Sequence, residues 1–211
     1  MDAQHDVYFA IAGAKAELLK ALRQEVDRAI AGRITSDFFQ NQFNAIVAKH
    51  GWSFTGNSDW RSRLIFNQNI RSAYAAGRYA HQTDPEVKKL QPYVQWVHGD
   101  SPEPRHHHLA LNGRVFSLED GFFPQNFPPD GYGCRCSTIP KSERQLRNEG
   151  LTVEVAPVDG TTEEITLPNG ETEVVTWGPE PGFAAPPGGT RVEEIRRAGL
   201  SRLPPELRAA V

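Results

Sequence analysis

The chain carries two cysteines, Cys134 and Cys136, both in the short run Gly131-Tyr132-Gly133-Cys134-Arg135-Cys136. In extended backbone, side chains at i and i+2 point to the same side, so this spacing can present two thiolates to one metal ion. His106, His107 and His108 supply imidazoles upstream. His108 is the favoured third ligand, because the segment that it leads into can hold it rigid. A tetrahedral Zn2+ site needs a fourth ligand, and His98, Asp100, Glu119 and Asp120 are candidates that spacing does not separate. The competing reading is a pair of buried reduced thiols in a Gly-rich turn. One Cys-x-Cys is a weaker signature than paired knuckles, so the residues alone leave both readings open. Arg105 can orient a carboxylate or the neighbouring loop while His108 faces inward.

Other chemistries have less support. Cysteine catalysis needs a low-pKa thiolate and an orienting base, and Cys134 with His108 has the residue types but no distance to judge. The carboxylates of Asp100, Glu119 and Asp120 are scattered through loops and define no hydrolase or nuclease pair. No Gly-rich loop is followed by Lys and Ser/Thr, which excludes a P-loop motor. The formal net charge of -3 at pH 7 gives no general nucleic-acid signal. A local basic face can still form around Arg61, Arg63, Arg71 and Arg78.

Met1–Ile11 has neither a basic n-region nor a continuous apolar h-region, so no signal peptide is expected. Apolar residues nowhere run to the length of a membrane span. Two cysteines across one intervening residue make no disulfide framework. These features together predict a protein at work in the cytoplasm.

The elements that must position these residues begin with an amphipathic helix over 14–31, with Leu18, Leu22, Val26 and Ile30 on one face and Gly32 ending it. Thr35 or Ser36 caps a second helix, whose stripe is Phe39, Phe43, Ile46 and Val47 and whose stop is Gly51. A third helix spans about Ser58 to Tyr79. Its apolar stripe is Phe66, Ile70, Ala73 and Gly77, with the small residues allowing close backbone approach. Asn67, Arg71, Tyr74 and Arg78 share a neighbouring face, which reads as a solvated surface, a polar network or a contact with another chain.

Asp84-Pro85 starts a short helix ending near Leu90, and Tyr93 to His98 are extended. Leu109-Ala110-Leu111 and Arg114-Val115-Phe116 flank Asn112-Gly113, predicting a tight hairpin. In the loop over 118–133, Phe122, Phe123, Phe127 and Tyr132 pin the chain to the body. A helix covers Ser142 to Asn148, and Leu151 to Ala156 alternate as a strand. A second hairpin runs from Glu163 through Pro168-Asn169-Gly170 to Trp177. Gly178–Gly189 reads as a Pro/Gly-rich linker, 191–199 as a weak helix and 201–211 as a tail.

Several separated motifs then occur in a familiar order. They are Asp59–Ala80, Asp84-Pro85-Glu86-Val87, Tyr93 and Trp96, His98-Gly99-Asp100, Pro104-Arg105, His108 through Phe116, and Phe127-Pro128-Pro129-Asp130-Gly131-Tyr132-Gly133-Cys134-Arg135-Cys136. Together they resemble the phage Mu F-like minor head proteins, over about residues 10 to 153. The resemblance places the family's recurring Arg, His and Cys-x-Cys positions on Arg105, His108, Cys134 and Cys136. It also marks Trp96, Asn112, Gly113, Pro129 and Gly131 as structural positions.

Departures are a Phe122-Phe123 pair where the family centres an aromatic stretch on Trp, and no shared motif after Trp177. The chain enters at Asp6–Gly13, near the end of an N-terminal region that family members often carry, as a shortened or prophage-derived copy would.

The resulting expectation is an α+β fold, with N-terminal amphipathic helices packed with a small loop-rich β-hairpin domain. Its parts are a helical region over 1–82, a head-morphogenesis-like core over 83–156, a hairpin extension over 157–177, and a linker and tail over 178–211. The resemblance implies a non-enzymatic minor head protein acting in bacteriophage head morphogenesis, DNA packaging or delivery. Its partners would be portal, scaffold or major capsid proteins and packaged DNA, with no membrane. It would work in the host cytoplasm during assembly and in the procapsid or virion. The rivals are a metal-dependent hydrolase, nuclease or toxin-like enzyme, and a DNA-binding accessory protein that uses the basic face.

Overall fold

Apolar side chains at every fourth position shape the first helix. Leu18, Leu22 and Val26 lie on one face of α1 (Ala16–Ile30), and all three are buried. Helix α2 (Ser36–His50) begins where the Thr35 hydroxyl accepts from Phe38 N at 3.3 Å, and ends at Gly51, whose φ of 64° is the left-handed stop read from the sequence. Phe39 and Phe43 complete this core, with Trp52, Phe54, Ile65 and Phe66 packed against it. Helix α3 (Ser58–Thr83) runs one turn beyond the expected end.

The computed structural model describes residues 16–188 apart from Thr55 and Pro102, and within it the chain divides into two compact units. The described residues to Tyr74, with Gly188, belong to the first, and Ala75–Pro187 form the second. The helix and tail expected over 191–211, and the entry segment Asp6–Gly13, lie outside the described residues. One expectation for α3 fails. Gly77 does not mediate a close approach: a Cβ built there meets nothing within 4 Å among the described residues. Small residues that are fully buried on this helix include Ala75 and Ser72.

In the second unit, the Asp84 carboxylate caps α4 (Pro85–Leu90) by accepting from Glu86 N and Val87 N. Strand β1 (Tyr93–Val97) is the centre of a three-stranded antiparallel sheet, flanked by β2 (Val115–Ser117) and β3 (Ser137–Lys141). Its alternation turns Val94 and Trp96 inward. Gln95 faces Val115 and Trp96 faces Thr138 in the register.

The hairpin expected around Asn112-Gly113 is not formed. Residues His106–Ala110 are helix α5, and β2 pairs with β1 instead. The Leu-Ala-Leu run lacks the β-branched residues that favour strands, whereas Val94, Trp96 and Val97 in β1 provide a better partner. Asn112-Gly113 still turns the chain. Gly113 adopts φ 83°, its N–H donates to Trp96 O at 2.9 Å, and Asn112 Oδ1 accepts from His98 N at 2.9 Å.

Phe122, Phe123 and Phe127 are buried, as expected, around the short helix α6 (Phe122–Asn126). Helix α7 (Glu143–Glu149) starts with a capping box made by Ser142 and Gln145. The second hairpin is present as β4 (Thr162–Thr166) and β5 (Thr172–Thr176), with Ile165, Val175 and Trp177 joining the core.

Two further expectations are corrected. Residues 151–156 make no strand: Val153 alone bridges to Val115, and Val155 is 88% exposed. The segment from Gly178 onward is not a free linker, since Phe183 and Ala185 are buried and the Phe183 ring packs edge-on against Tyr132 at 5.2 Å. One aromatic anchor outweighed the Pro/Gly composition. The chain is thus a mixed α+β protein with several helices and small antiparallel sheets.

Candidate metal centre

Helix α5 and the turn before β3 bring together the residues that the spacing singled out. His108, Cys134 and Cys136 each direct one ligand atom into a common space, and these atoms lie within 4.8 Å of one another. His108 Nδ1 stands 3.7 Å from Cys134 Sγ and 3.7 Å from Cys136 Sγ. A tetrahedral zinc with ordinary Zn–N and Zn–S lengths sets that N···S edge at about 3.6 Å, so the spacing fits the ion. The three side chains are nearly inaccessible, at 2%, 3% and 6% exposure, respectively.

Backbone donors converge on the sulfurs. Cys136 N–H donates to Cys134 Sγ at 3.4 Å, Asp130 N–H also serves Cys134, and Gly99 N–H serves Cys136. Such donors favour the charged form of a thiol, the form that binds metal. The two thiols also interact with each other. The hydrogen bond to Cys136, then burial, pushes the Cys134 thiol far up, and the same hydrogen bond holds the Cys136 thiol below its usual value. Burial, reinforced by the charges of His107, Arg105 and His98, lowers His108 to about 3 and leaves a neutral imidazole. A neutral imidazole is the ligating form.

The other edge of the His108 ring meets a residue not weighed as a site residue from the sequence. Asp130 Oδ1 lies 3.2 Å from His108 Nε2, with both side chains 3% exposed. That is ion-pair distance, yet the alignment falls short of a hydrogen bond and neither atom has another hydrogen-bond partner among the described residues. Burial and the neighbouring Cys134 raise the Asp130 carboxyl well above its usual range.

None of the carboxylates or the histidine weighed as a fourth ligand joins the cluster among the described residues. Glu119 pairs with Lys88 at 2.7 Å, and Asp120 accepts from Phe122 N at 3.0 Å. Asp100 contributes its carbonyl, which accepts from Arg135 at 2.6 Å. His98 donates its backbone N–H to Asn112.

Arg105 does hold a carboxylate. Its guanidinium donates to Tyr132 O at 2.8 Å and pairs with Glu180, whose other oxygen accepts from Tyr132 N at 2.8 Å. Gly131 leaves the room for this contact, since a Cβ there would stand 2.7 Å from Glu180 Cδ. Glu180 was invisible to motif reading because it lies beyond every recognisable motif. Pro129 is buried beside Asp130, and Trp96 packs edge-on to His108 at 6.1 Å. On α3, Asn67 and Tyr74 are exposed and Arg78 is partly buried, with burial lowering its pKa; Arg71 is also only partly exposed. All four belong to α3, and none is among the converging residues.

The family model described as "Phage Mu protein F like protein" matches residues 15–139, which include every ligand candidate in this cluster. The chain belongs to that family. Among its relatives is the putative capsid assembly protein F of Escherichia phage Mu, 31% identical over 86% of this chain and 49% of the phage protein. Another is the Mu-like prophage FluMu F protein of Haemophilus influenzae, 30% identical over 79% of this chain and 42% of that protein. The chain thus spans under half the length of each. No solved structure matches it. Within this Mu F-like chain, no described helix is long and apolar enough to cross a membrane.

Proposed function

We propose that this chain acts in bacteriophage head morphogenesis as a minor, capsid-associated protein, and that His108, Cys134 and Cys136 hold a structural Zn2+. The reading rests chiefly on one observation: the family match runs through a cluster whose three ligand atoms converge in a buried, closed space. Zinc there would tie α5 to the start of β3. It would supply fold stability instead of an activated water, because a catalytic ion keeps an open coordination position beside a cleft. The relative named as a putative capsid assembly protein supports the same role.

In this proposal the N-terminal helices present a face to another head component. The exposed Asn67 and Tyr74, with Arg71 and Arg78 beside them on α3, are the assembly surface toward a portal, scaffold or major capsid protein. The chain would work in the host cytoplasm during assembly and then reside in the procapsid or virion.

The DNA-binding rival draws less support. Arg61 lies over the Trp60 and Phe54 rings at 5.0 and 5.9 Å, and Arg78 is partly buried. Neither resembles a cation extended toward phosphate.

The test is to delete the gene from its phage or prophage, restore it in trans, and examine purified heads by electron microscopy and protein mass spectrometry. The chain should be present in heads at low copy, and its loss should reduce DNA-filled particles. Normal yields of filled heads without it would overturn the assignment.

A further inference from the structure

Beside His108, Cys134 and Cys136 lies a buried carboxyl group that is not itself among the converging ligands, that of Asp130. It is 2% exposed, and its neighbours are the His108 ring, the Cys134 thiol and the more distant charge of Arg105. A carboxylate is seldom taken out of water unless paired or hydrogen-bonded, so its place calls for a partner. We propose that Asp130 is the positioning residue of the centre, accepting the Nε2 proton of His108 so that the Nδ1 lone pair faces the two sulfurs. This rests on the metal reading given above.

A neutral imidazole carries one proton, on one nitrogen or the other. Both sulfurs stand on the Nδ1 side, each at 3.7 Å, so a ligating His108 must carry its proton on Nε2. There the nearest acceptor is Asp130 Oδ1 at 3.2 Å. Asp130 is not itself one of the converging ligands. Its backbone N–H additionally serves Cys134, so one residue steadies two ligands. The positive charge of a bound zinc would favour the ionised forms of the two thiols and of Asp130, and a carboxylate there strengthens the imidazole as a donor to the ion.

The test uses the full, reduced chain, with zinc and cobalt(II) as probes and competition against a chromophoric chelator. Wild-type protein should bind cobalt with sulfur-to-metal charge-transfer absorption. Asp130→Ala should weaken zinc binding by about 10- to 100-fold while keeping that absorption. Asp130→Asn keeps the size and an acceptor but removes the charge, and should fall between the two. It carries the test if the alanine variant does not fold.

Long-range 1H–15N correlations should report an Nε2-protonated His108 in the zinc form. In Asp130→Asn, which keeps the side-chain volume, faster exchange of that proton reports loss of the charged acceptor and not loss of packing. Wild-type affinity and unaltered His108 signals in the folded variants, with cobalt still on the sulfurs, would overturn the role of Asp130 and leave the centre standing. A wild-type chain that binds neither metal through sulfur would overturn the centre, and this proposal with it.

Discussion

Gly99 is the position where a single methyl group should do most harm for its size. A Cβ placed there would stand 2.1 Å from the Arg135 carbonyl oxygen and 2.4 Å from Arg135 Cβ, where real Cβ atoms stay beyond 3.0 Å. The 98–100 loop must therefore retreat by roughly 1 Å from the Cys134–Cys136 segment in Gly99→Ala, the difference between those distances. That retreat pulls the Gly99 N–H from the Cys136 sulfur and disturbs the 2.6 Å hydrogen bond from Arg135 to Asp100 O. Overpacking of this kind costs about 1–3 kcal/mol, and a lost hydrogen bond adds about 1 kcal/mol. A total near 3 kcal/mol lowers the melting temperature by roughly 10 °C. Gly77→Ala is the matched control, because it adds the same methyl to open space within α3. It should stabilise by about 0.5–1 kcal/mol. Urea and thermal unfolding of both variants, followed by circular dichroism and Trp fluorescence, gives the comparison. If Gly99→Ala unfolds with the wild-type protein, the close passage of the two loops is wrong.

Other perturbations sample different parts of the account. Glu180→Ala releases the Arg105 and Tyr132 contacts, and with both partners about 30% exposed it should cost about 1–2 kcal/mol. Limited proteolysis should then cut within 178–187 faster than in wild type; an unchanged cleavage pattern contradicts the clasp. Phe127→Ala empties a fully buried ring from the second unit and should cost about 3–5 kcal/mol in urea titration. Thr35→Ala removes the α2 cap and should lower stability by about 1 kcal/mol, with no effect on metal content by elemental analysis.

The sequence revealed more of the site than of the architecture around it. Cys134 and Cys136 share a side because of their i, i+2 spacing, and His108 joins them, so the cluster itself was readable from residue type and spacing. Asp130 stands inside the motif with no role legible there, because its importance lies in which edge of the imidazole it meets, and that is a tertiary fact. Gly99 and Gly131 look like ordinary loop glycines until Arg135 and Glu180 are placed against them. Helix starts at Thr35 and Asp84 were legible because capping is local. The Asn112-Gly113 turn was legible as well, but not its flanking elements. Leu109-Ala110-Leu111 has no local preference strong enough to settle helix against strand, and the neighbouring β1 decided it. The 178–187 segment misled for a related reason. Pro and Gly report an irregular backbone, and they do not report whether Phe183 finds a pocket.

The central claim is that His108, Cys134 and Cys136 form a structural metal centre in a Mu F-like head protein. Elemental mass spectrometry on untagged full-length protein, beside a variant with His108→Ala, Cys134→Ser and Cys136→Ser, tests it most directly. Near-stoichiometric zinc in the wild type, absent from the variant together with a loss of thermal stability, is the predicted result. Folded wild-type protein that carries no metal after purification without chelators, and takes up none when zinc is supplied, would contradict it.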